Sequence, residues 1–297
     1  MEFNMEPFER IETTELSRES FQRFARYITQ ELGIKMPDSK LTMVQSRLLR
    51  RVRELELDSV EQYGEYFFTA AHSEERDHFI DAITTNKTDF FREPEHFDYL
   101  VQTALPALAG PVASPLYGVN VWSAGCSSGE QPYTLAMVLS EYANQSRGFD
   151  FSILATDIST RMLGRARDGI YDEALIAPVP LDYRKKYLLH SHDREQAQVR
   201  IVPRLRQKTS FYRLNFMAED YGIRDLFEVI FFRNVMIYFD KRTQECVINR
   251  MCRNLRPGGY LFVGHSESLA GLDIPVAPVH TSIYRKPATE EGRRARA

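Results

Sequence analysis

The sequence predicts an α/β fold: a mostly parallel sheet flanked by helices, preceded by a small all-helical domain. Three observations carry this. From Val119 onward, strand-like apolar runs alternate with helical stretches, the pattern of a parallel sheet. Before it, in residues 17–100, apolar positions recur at three- and four-residue spacing. Joining the first strand to its helix, VNVWSAGCSSGEQPYTLAMVL (119–139) has a small-residue turn with Gly125 and Gly129, and Pro132 opens the helix. Boundaries follow: a disordered segment at 1–16, a helical domain at 17–100, a linker at 101–118, the α/β domain at 119–287 and a disordered tail at 288–297.

The helical domain reads as four helices. Ser17 caps a helix with Phe21, Phe24, Ala25, Ile28 and Leu32 on one face, and Gly33 ends it. Leu41, Val44, Leu48, Val52 and Leu55 mark a second helix at about 40–56. A third begins near Ser59 and holds Tyr63, Tyr66, Phe67 and Phe68. A fourth at 74–84 holds Phe79, Ile80 and Ile83. The second helix carries Arg47, Arg50, Arg51 and Arg53, read either as a solvated face or as a basic surface for an acidic partner.

TTNKTDFFRE (84–93) closes this module. Asn86 and Thr88 can hydrogen-bond a polar ligand, and Arg92 offers a planar fork for a carboxylate. A helix from Glu95 to Leu108 follows, then the loop GPVASPLYG. In the α/β domain, strands are expected at 119–123, 151–159, 228–232 and 259–264, with a last edge strand at 283–286. Helices are expected at 132–144, after Ser159, and at 240–255. Residues 185–212 are β-rich and basic and break the rhythm. They read as a small β insertion, either a peripheral elaboration or an edge for strand addition by another protein.

Composition narrows the function. Hydrophobic residues make up 43% and charged residues 27% of 297, ordinary for a globular protein, and the formal net charge is −3. No general pull toward nucleic acid or an anionic membrane is expected. Cys126, Cys246 and Cys252 are odd in number and lack a CxxC pattern, so neither disulfides nor a metal centre is expected. No apolar run reaches the roughly 18–20 residues that span a bilayer. A cytoplasmic setting fits best, and Cys126 reads as a small buried residue.

The turn is neither the dinucleotide GxGxxG nor a P-loop. Alone it reads equally as a ligand cradle or a tight connection. Asp157, ending the second strand, reads as a helix cap or as the acceptor for a ribose diol. Together they fit NAD or S-adenosylmethionine. The glycine spacing, and an acidic Glu130 where a pyrophosphate would lie, favour S-adenosylmethionine. Glu130 and Gln131 stand where polar groups would meet its amino acid moiety. The LRPGGYLFVG turn and late edge strand suit a seven-stranded methyltransferase sheet.

Five runs, TTNKTDFFRE, VWSAGCSSGEQPYTLAM, ATDIS, FFRNVMIYFD and LRPGGYLFVGHSES, resemble in sequence and order the CheR chemotaxis receptor glutamate O-methyltransferases. That resemblance implies a Rossmann-like methyltransferase domain with a small inserted antiparallel β-subdomain, behind an N-terminal all-helical domain. It implies S-adenosylmethionine as cofactor and S-adenosylhomocysteine as product. Asn86, Thr88 and Arg92 would close over the cofactor beside Gly125, Glu130 and Gln131. Asp157 would hold the ribose, Asn215 and Phe216 would flank the adenine, and Arg233 and Asn234 would complete the pocket. Arg92 and Tyr238 would orient the carboxylate and the transferring methyl. The family usually has Glu where this chain has Gln131.

The implied reaction esterifies specific glutamates of chemoreceptors (methyl-accepting chemotaxis proteins) in adaptation. A carboxylate is already ionised near neutral pH, so no strong base is needed, and His265 reads as structural. Arg47, Arg50, Arg51 and Arg53 would grip acidic methylation helices, and the β-subdomain would take a C-terminal receptor tail peptide. A monomer is expected. A non-catalytic S-adenosylmethionine-binding signalling adaptor is the alternative, raised by Gln131.

Overall fold

The structure is a computed structural model describing residues 15–70, 73–109, 117–193 and 196–288. The expected disordered ends and most of the loop GPVASPLYG lie outside the described residues. Leu16, assigned to the N-terminal segment, is buried, and its N–H donates to Gln45 Oε1 (3.1 Å). Chain contacts divide the protein into two units, 1–85 and 86–297.

The first unit holds α1 (Arg18–Leu32), α2 (Leu41–Glu54), α3 (Val60–Thr69) and α4 (Ser73–Ile83). Ser17 Oγ accepts the Ser20 N–H at one end of α1, and Gly33 ends it at φ 70°. The apolar stripes meet in an aromatic core in which Phe24 packs against Tyr63 and Phe79, and Phe67 lies 4.4 Å from Phe79.

The helical domain ends earlier than residue 100, because the chain from Asn86 packs into the second unit. There α5 (Glu95–Tyr99), a π-helical turn (Leu100–Ala104) and α6 (Leu105–Ala109) form one helical run. Pro106, with no N–H to give, lies just past the wide turn. Phe97 stacks on Phe231, which stacks on Phe262 at 4.3 Å.

Seven strands form the main sheet: β1 (Tyr117–Ala124), β2 (Phe149–Asp157), β6 (Thr209–Arg213), β7 (Phe227–Phe232), β8 (Leu255–Val263), β9 (Ala277–His280) and β10 (Ile283–Arg285). Their order is β6-β2-β1-β7-β8-β10-β9; the first five are parallel, and the β10–β9 pair closes one edge antiparallel. From β1 the chain proceeds first to β2 and β6, then returns to β7 and β8 on the other side. The direction therefore switches between β1 and β7, which opens a crevice at the carboxyl ends of those strands. Connecting helices include α7 (Glu130–Gln145), α8 (Thr160–Asp168) and α11 (Lys241–Arg253). α7 is buried on most faces, and its Tyr133 hydroxyl donates to the Ala166 carbonyl of α8 (2.7 Å).

A second, antiparallel sheet is built from β3 (Ile170–Asp172), β4 (Leu188–His190) and β5 (Gln198–Ile201), ordered β3-β5-β4. It begins at residue 170 rather than 185. Its β5 is separated from β6 by a short helix, α10 (Pro203–Gln207), which Pro203 opens. Thr209–Arg213, counted with the insertion from its composition, is instead the main-sheet edge strand, with Thr209 opposite Ile153.

Candidate active site

Five parallel strands end at one edge of the sheet and set the candidate residues there. β1 leads into the turn 125–129, β2 ends at Asp157, β6 leads to Asn215 and Phe216, β7 to Arg233 and Asn234, and β8 to Gly264. Among the described residues, seven non-glycines have positive φ; Ser127 and Asn234 lie in these loops, and Phe91 and Glu93 lie in the segment just before α5. Backbone strain of this kind persists where surrounding contacts over-determine it.

The glycine turn is fixed from below by the Thr156 carbonyl, which accepts the N–H groups of Gly125 (2.8 Å) and Cys126 (3.0 Å). Gly125 has φ 71°, and a Cβ there would come within 2.5 Å of Val235 Cγ2 and 4.0 Å of the Phe216 ring. The turn, the β7 loop and the segment after β6 thus converge on one bare stretch of backbone. Phe216 meets Phe232 edge-on at 4.9 Å, and its carbonyl accepts the Tyr221 hydroxyl. Asn215 Oδ1 accepts the Met217 N–H, which shapes that corner.

Asp157 is buried, with Oδ2 accepting the Ser127 N–H (2.8 Å) and Oδ1 the Ser159 N–H (2.9 Å). The cap of α8 is Ser159, whose Oγ accepts the Met162 N–H. Asp157 is therefore not the helix cap; it fastens the glycine turn to the end of β2. Glu130, 4% exposed in the first turn of α7, accepts the Ser128 hydroxyl, and burial pushes its carboxyl upward. Gln131 Nε2 donates to Ser123 Oγ (2.9 Å), so the amide is anchored to the end of β1. Cys126 is buried, and desolvation, then Asp157, drive its thiol well above the usual range, which removes thiolate chemistry.

Residues 86–93 cross the same edge. The Asn86 carbonyl accepts the Ser127 hydroxyl (3.0 Å), and Phe91 N–H donates to Thr134 Oγ1 (3.2 Å). Thr88 is half-buried. The Arg92 carbonyl accepts the Arg233 guanidinium, whose Nε lies 3.2 Å from Glu93 Oε2. Arg233 is 5% exposed; burial lowers its pKa to about 10, against the opposing pull of Glu93. Glu93 Oε1 also accepts the His265 N–H (3.2 Å). Tyr238 ends a short 3-10 turn, Met236–Tyr238, and its N–H donates to the Val235 carbonyl (3.2 Å).

Three contributors escape a reading by motif role. Glu93, in the 86–93 segment, His96, in α5, and Glu267, past the end of β8, are polar groups gathered around Arg233 and Asn234. The only sequence signal is that Glu93 and Glu267 fall within or beside runs already singled out. Glu93, His96 and His265 bring ligand-type atoms within 4.8 Å of one another. The Arg233 guanidinium already neutralises the Glu93 carboxylate there.

The four arginines of α2 do not form one free face. Arg51 is 8% exposed and pairs with Glu75, which also accepts the Tyr63 hydroxyl (2.8 Å). It holds α2, α3 and α4 together and is withdrawn from the expected basic surface. Arg47 donates to the Ile83 carbonyl and to Thr85 Oγ1 (2.9 Å). Arg50 pairs with Glu54 at 2.7 Å, and Arg53 is exposed.

Two buried carboxylates, Glu130 and Asp157, flank the turn, and both would repel a pyrophosphate. A phosphate-free, cationic ligand with ribose hydroxyls suits these acceptors, and the Gly125 turn beside Phe216 borders the edge where it would lie. The sheet order, the switch-point turn and the strand-end acid define an S-adenosylmethionine-dependent methyltransferase. Residues 86–284 match the family described as "CheR methyltransferase, SAM binding domain" and residues 19–84 the "CheR methyltransferase, all-alpha domain". The chain belongs to the CheR methyltransferase family. It is 36% identical over 258 residues to the chemotaxis protein methyltransferase of Borreliella burgdorferi, covering 86% of this chain and 90% of that one. It is 36% identical to the Escherichia coli chemotaxis protein methyltransferase, covering 87% of each. It is 38% identical over 272 residues to chemotaxis protein methyltransferase 2 of Pseudomonas aeruginosa, covering 90% and 93%. S-adenosylmethionine is the cofactor and S-adenosylhomocysteine the product.

Proposed function

We propose that this methyltransferase esterifies glutamate side chains in the cytoplasmic domains of chemoreceptors, acting as a protein-glutamate O-methyltransferase in chemotactic adaptation. The observation that carries the reading is the Arg233–Arg92 contact. It fastens the Arg92 backbone to the strand-end residue next to Asn234, which supports a role for the attached guanidinium, a carboxylate-binding fork, at that edge. When bound, S-adenosylmethionine supplies a methyl group on a cationic sulfur, which a substrate carboxylate takes up as an ester, leaving S-adenosylhomocysteine. Asp157 holds the ribose hydroxyls. Asn215 and Phe216 flank the adenine beside the Gly125 turn. Glu130 and Gln131 meet the amino acid moiety, with Asn86, Thr88, Arg233 and Asn234 closing the pocket. Arg92 orients the incoming carboxylate and Tyr238 aligns it with the methyl. Alignment and exclusion of water supply the rate.

Arg47, Arg50 and Arg53 draw the acidic methylation helices toward the helical unit. In the three-stranded sheet, β3 and β4 are edge strands, and either can accept a receptor tail peptide by strand addition. We place the enzyme, a monomer, in the cytoplasm, where those receptor helices lie; among the described residues no helix is long and apolar enough to cross a membrane.

The test is methyl transfer from labelled S-adenosylmethionine to a chemoreceptor cytoplasmic fragment, with calorimetry of cofactor binding in parallel. Base-labile label on receptor glutamates is expected. Tight cofactor binding with no ester on any receptor would replace this reading with that of a non-catalytic adaptor.

A further inference from the structure

The end of β8 supplies a buried carboxylate that reaches across to the β7 loop. Glu267 is 7% exposed, and Oε2 accepts the N–H groups of Gly264 (2.6 Å) and Asn234 (2.8 Å), while Oε1 accepts that of Ile237 (3.3 Å). The two chain segments approach so closely that a Cβ on Gly264 would lie 2.5 Å from Asn234 Nδ2 and 2.9 Å from Glu267 Oε2. Asn234 itself sits at φ 61°, a left-handed conformation that a non-glycine residue keeps where its surroundings enforce it. An acceptor with two oxygens, facing N–H groups at both ends of residues 234–237, is such an enforcement.

We propose that Glu267 is a positioning residue for methyl transfer: by gathering the N–H groups of Asn234 and Ile237 onto one carboxylate, it sets the loop that presents Asn234 to the cofactor and Tyr238 to the methyl. The role rests on the proposed reading of Asn234 and Tyr238. In this role Glu267 acts through the backbone it holds rather than on the reacting groups. Its chemistry is specific. An amide of the same shape has a single acceptor oxygen and an N–H₂ group that would face inward-pointing N–H donors. A shorter carboxylate keeps both acceptors but sits farther from the loop.

The experiment compares Glu267→Gln and Glu267→Asp with wild type in full-length protein, measuring thermal midpoint, S-adenosylhomocysteine affinity, and kcat and cofactor KM on a receptor fragment. Asn234→Ala and Tyr238→Phe are run beside them. Glu267→Gln is expected to fold, to raise cofactor KM, and to lower kcat roughly 10- to 100-fold, the scale on which ångström misplacements act. Glu267→Asp is expected to recover part of kcat. Wild-type kcat and KM in Glu267→Gln, beside impaired Asn234→Ala and Tyr238→Phe, would overturn the positioning role alone. Wild-type behaviour of Asn234→Ala and Tyr238→Phe would instead remove the site reading beneath it. If Glu267→Gln does not fold, Glu267→Asp decides: unchanged kcat and KM overturn the role, and a loss of kcat at retained fold supports it.

Discussion

Asp157 Oδ2 accepts the backbone N–H of Ser127 at 2.8 Å, while its Oδ1 accepts that of Ser159. One carboxylate thus ties the glycine turn after β1 to the end of β2, so the residue proposed to hold the ribose also builds the turn beside it. Asp157→Ala strands two buried donors, each costing about 1–3 kcal/mol. Asp157→Asn keeps one acceptor and has roughly half that cost. Both variants should bind S-adenosylhomocysteine at least tenfold more weakly by calorimetry. Unchanged affinity in Asp157→Asn would limit the residue to building the turn.

The turn, Asp157 and the β7 loop were legible because each follows an apolar strand with its own periodicity. Strand ends need only local pattern to be found, and the carboxyl-edge rule brings them together. The three-stranded sheet was harder to delimit, because β5 and β6 are both short, basic and β-branched. Only pairing partners, Arg200 with Ile170 but Thr209 with Ile153, separate them. Arg51 and Arg53 are two residues apart on one helix and read alike as cations. The difference is the carboxylate of Glu75, 24 residues on, and nothing local announces it. Glu93 and Glu267 hold backbone N–H groups of other loops, a role set by tertiary contact and invisible to spacing.

Gly125 and Val235 form a steric pair, since a Cβ on the glycine would lie 2.5 Å from Val235 Cγ2 at a backbone φ of 71°. Gly125→Ala therefore adds a clash to the left-handed strain of about 1–2 kcal/mol. Gly125→Ala combined with Val235→Ala should relieve the clash and keep the strain. A double-mutant cycle on thermal stability is expected to show favourable coupling between the two. Strict additivity would mean that the two loops do not meet.

Arg51 and Glu75 are both nearly enclosed, and Tyr63 shares the carboxylate. Removing one partner leaves a buried charge without its counterion, so Arg51→Ala should destabilise the helical unit by about 3–5 kcal/mol. Arg53→Ala, at an exposed position, should leave stability within about 0.5 kcal/mol. If α2 meets acidic receptor helices, Arg53→Ala instead raises the KM for receptor, and added salt raises wild-type KM toward the variant's value. A receptor KM indifferent to both salt and Arg53 would remove the proposed docking role of this helix.

His96 is 1% exposed, packs edge-on to Phe262 and His265, and is flanked by Arg233. Burial first, and the Arg233 charge second, lower its pKa to about 3. In the unfolded chain the ring takes up a proton near pH 6.5, whereas in the folded protein it stays neutral far below that. The unfolded state therefore binds more protons between these values. Stability from this residue is complete above about pH 6.5 and declines as pH falls toward 3. Glu130 and Glu267, whose carboxyls burial pushes upward, act with the opposite sign. His96→Phe isolates the histidine, because the glutamates remain in both proteins. Urea unfolding at pH 7.5, 6 and 5 should show wild type losing stability relative to His96→Phe as the pH drops. A difference constant across that range would mean that the imidazole protonates equally in the folded and unfolded protein.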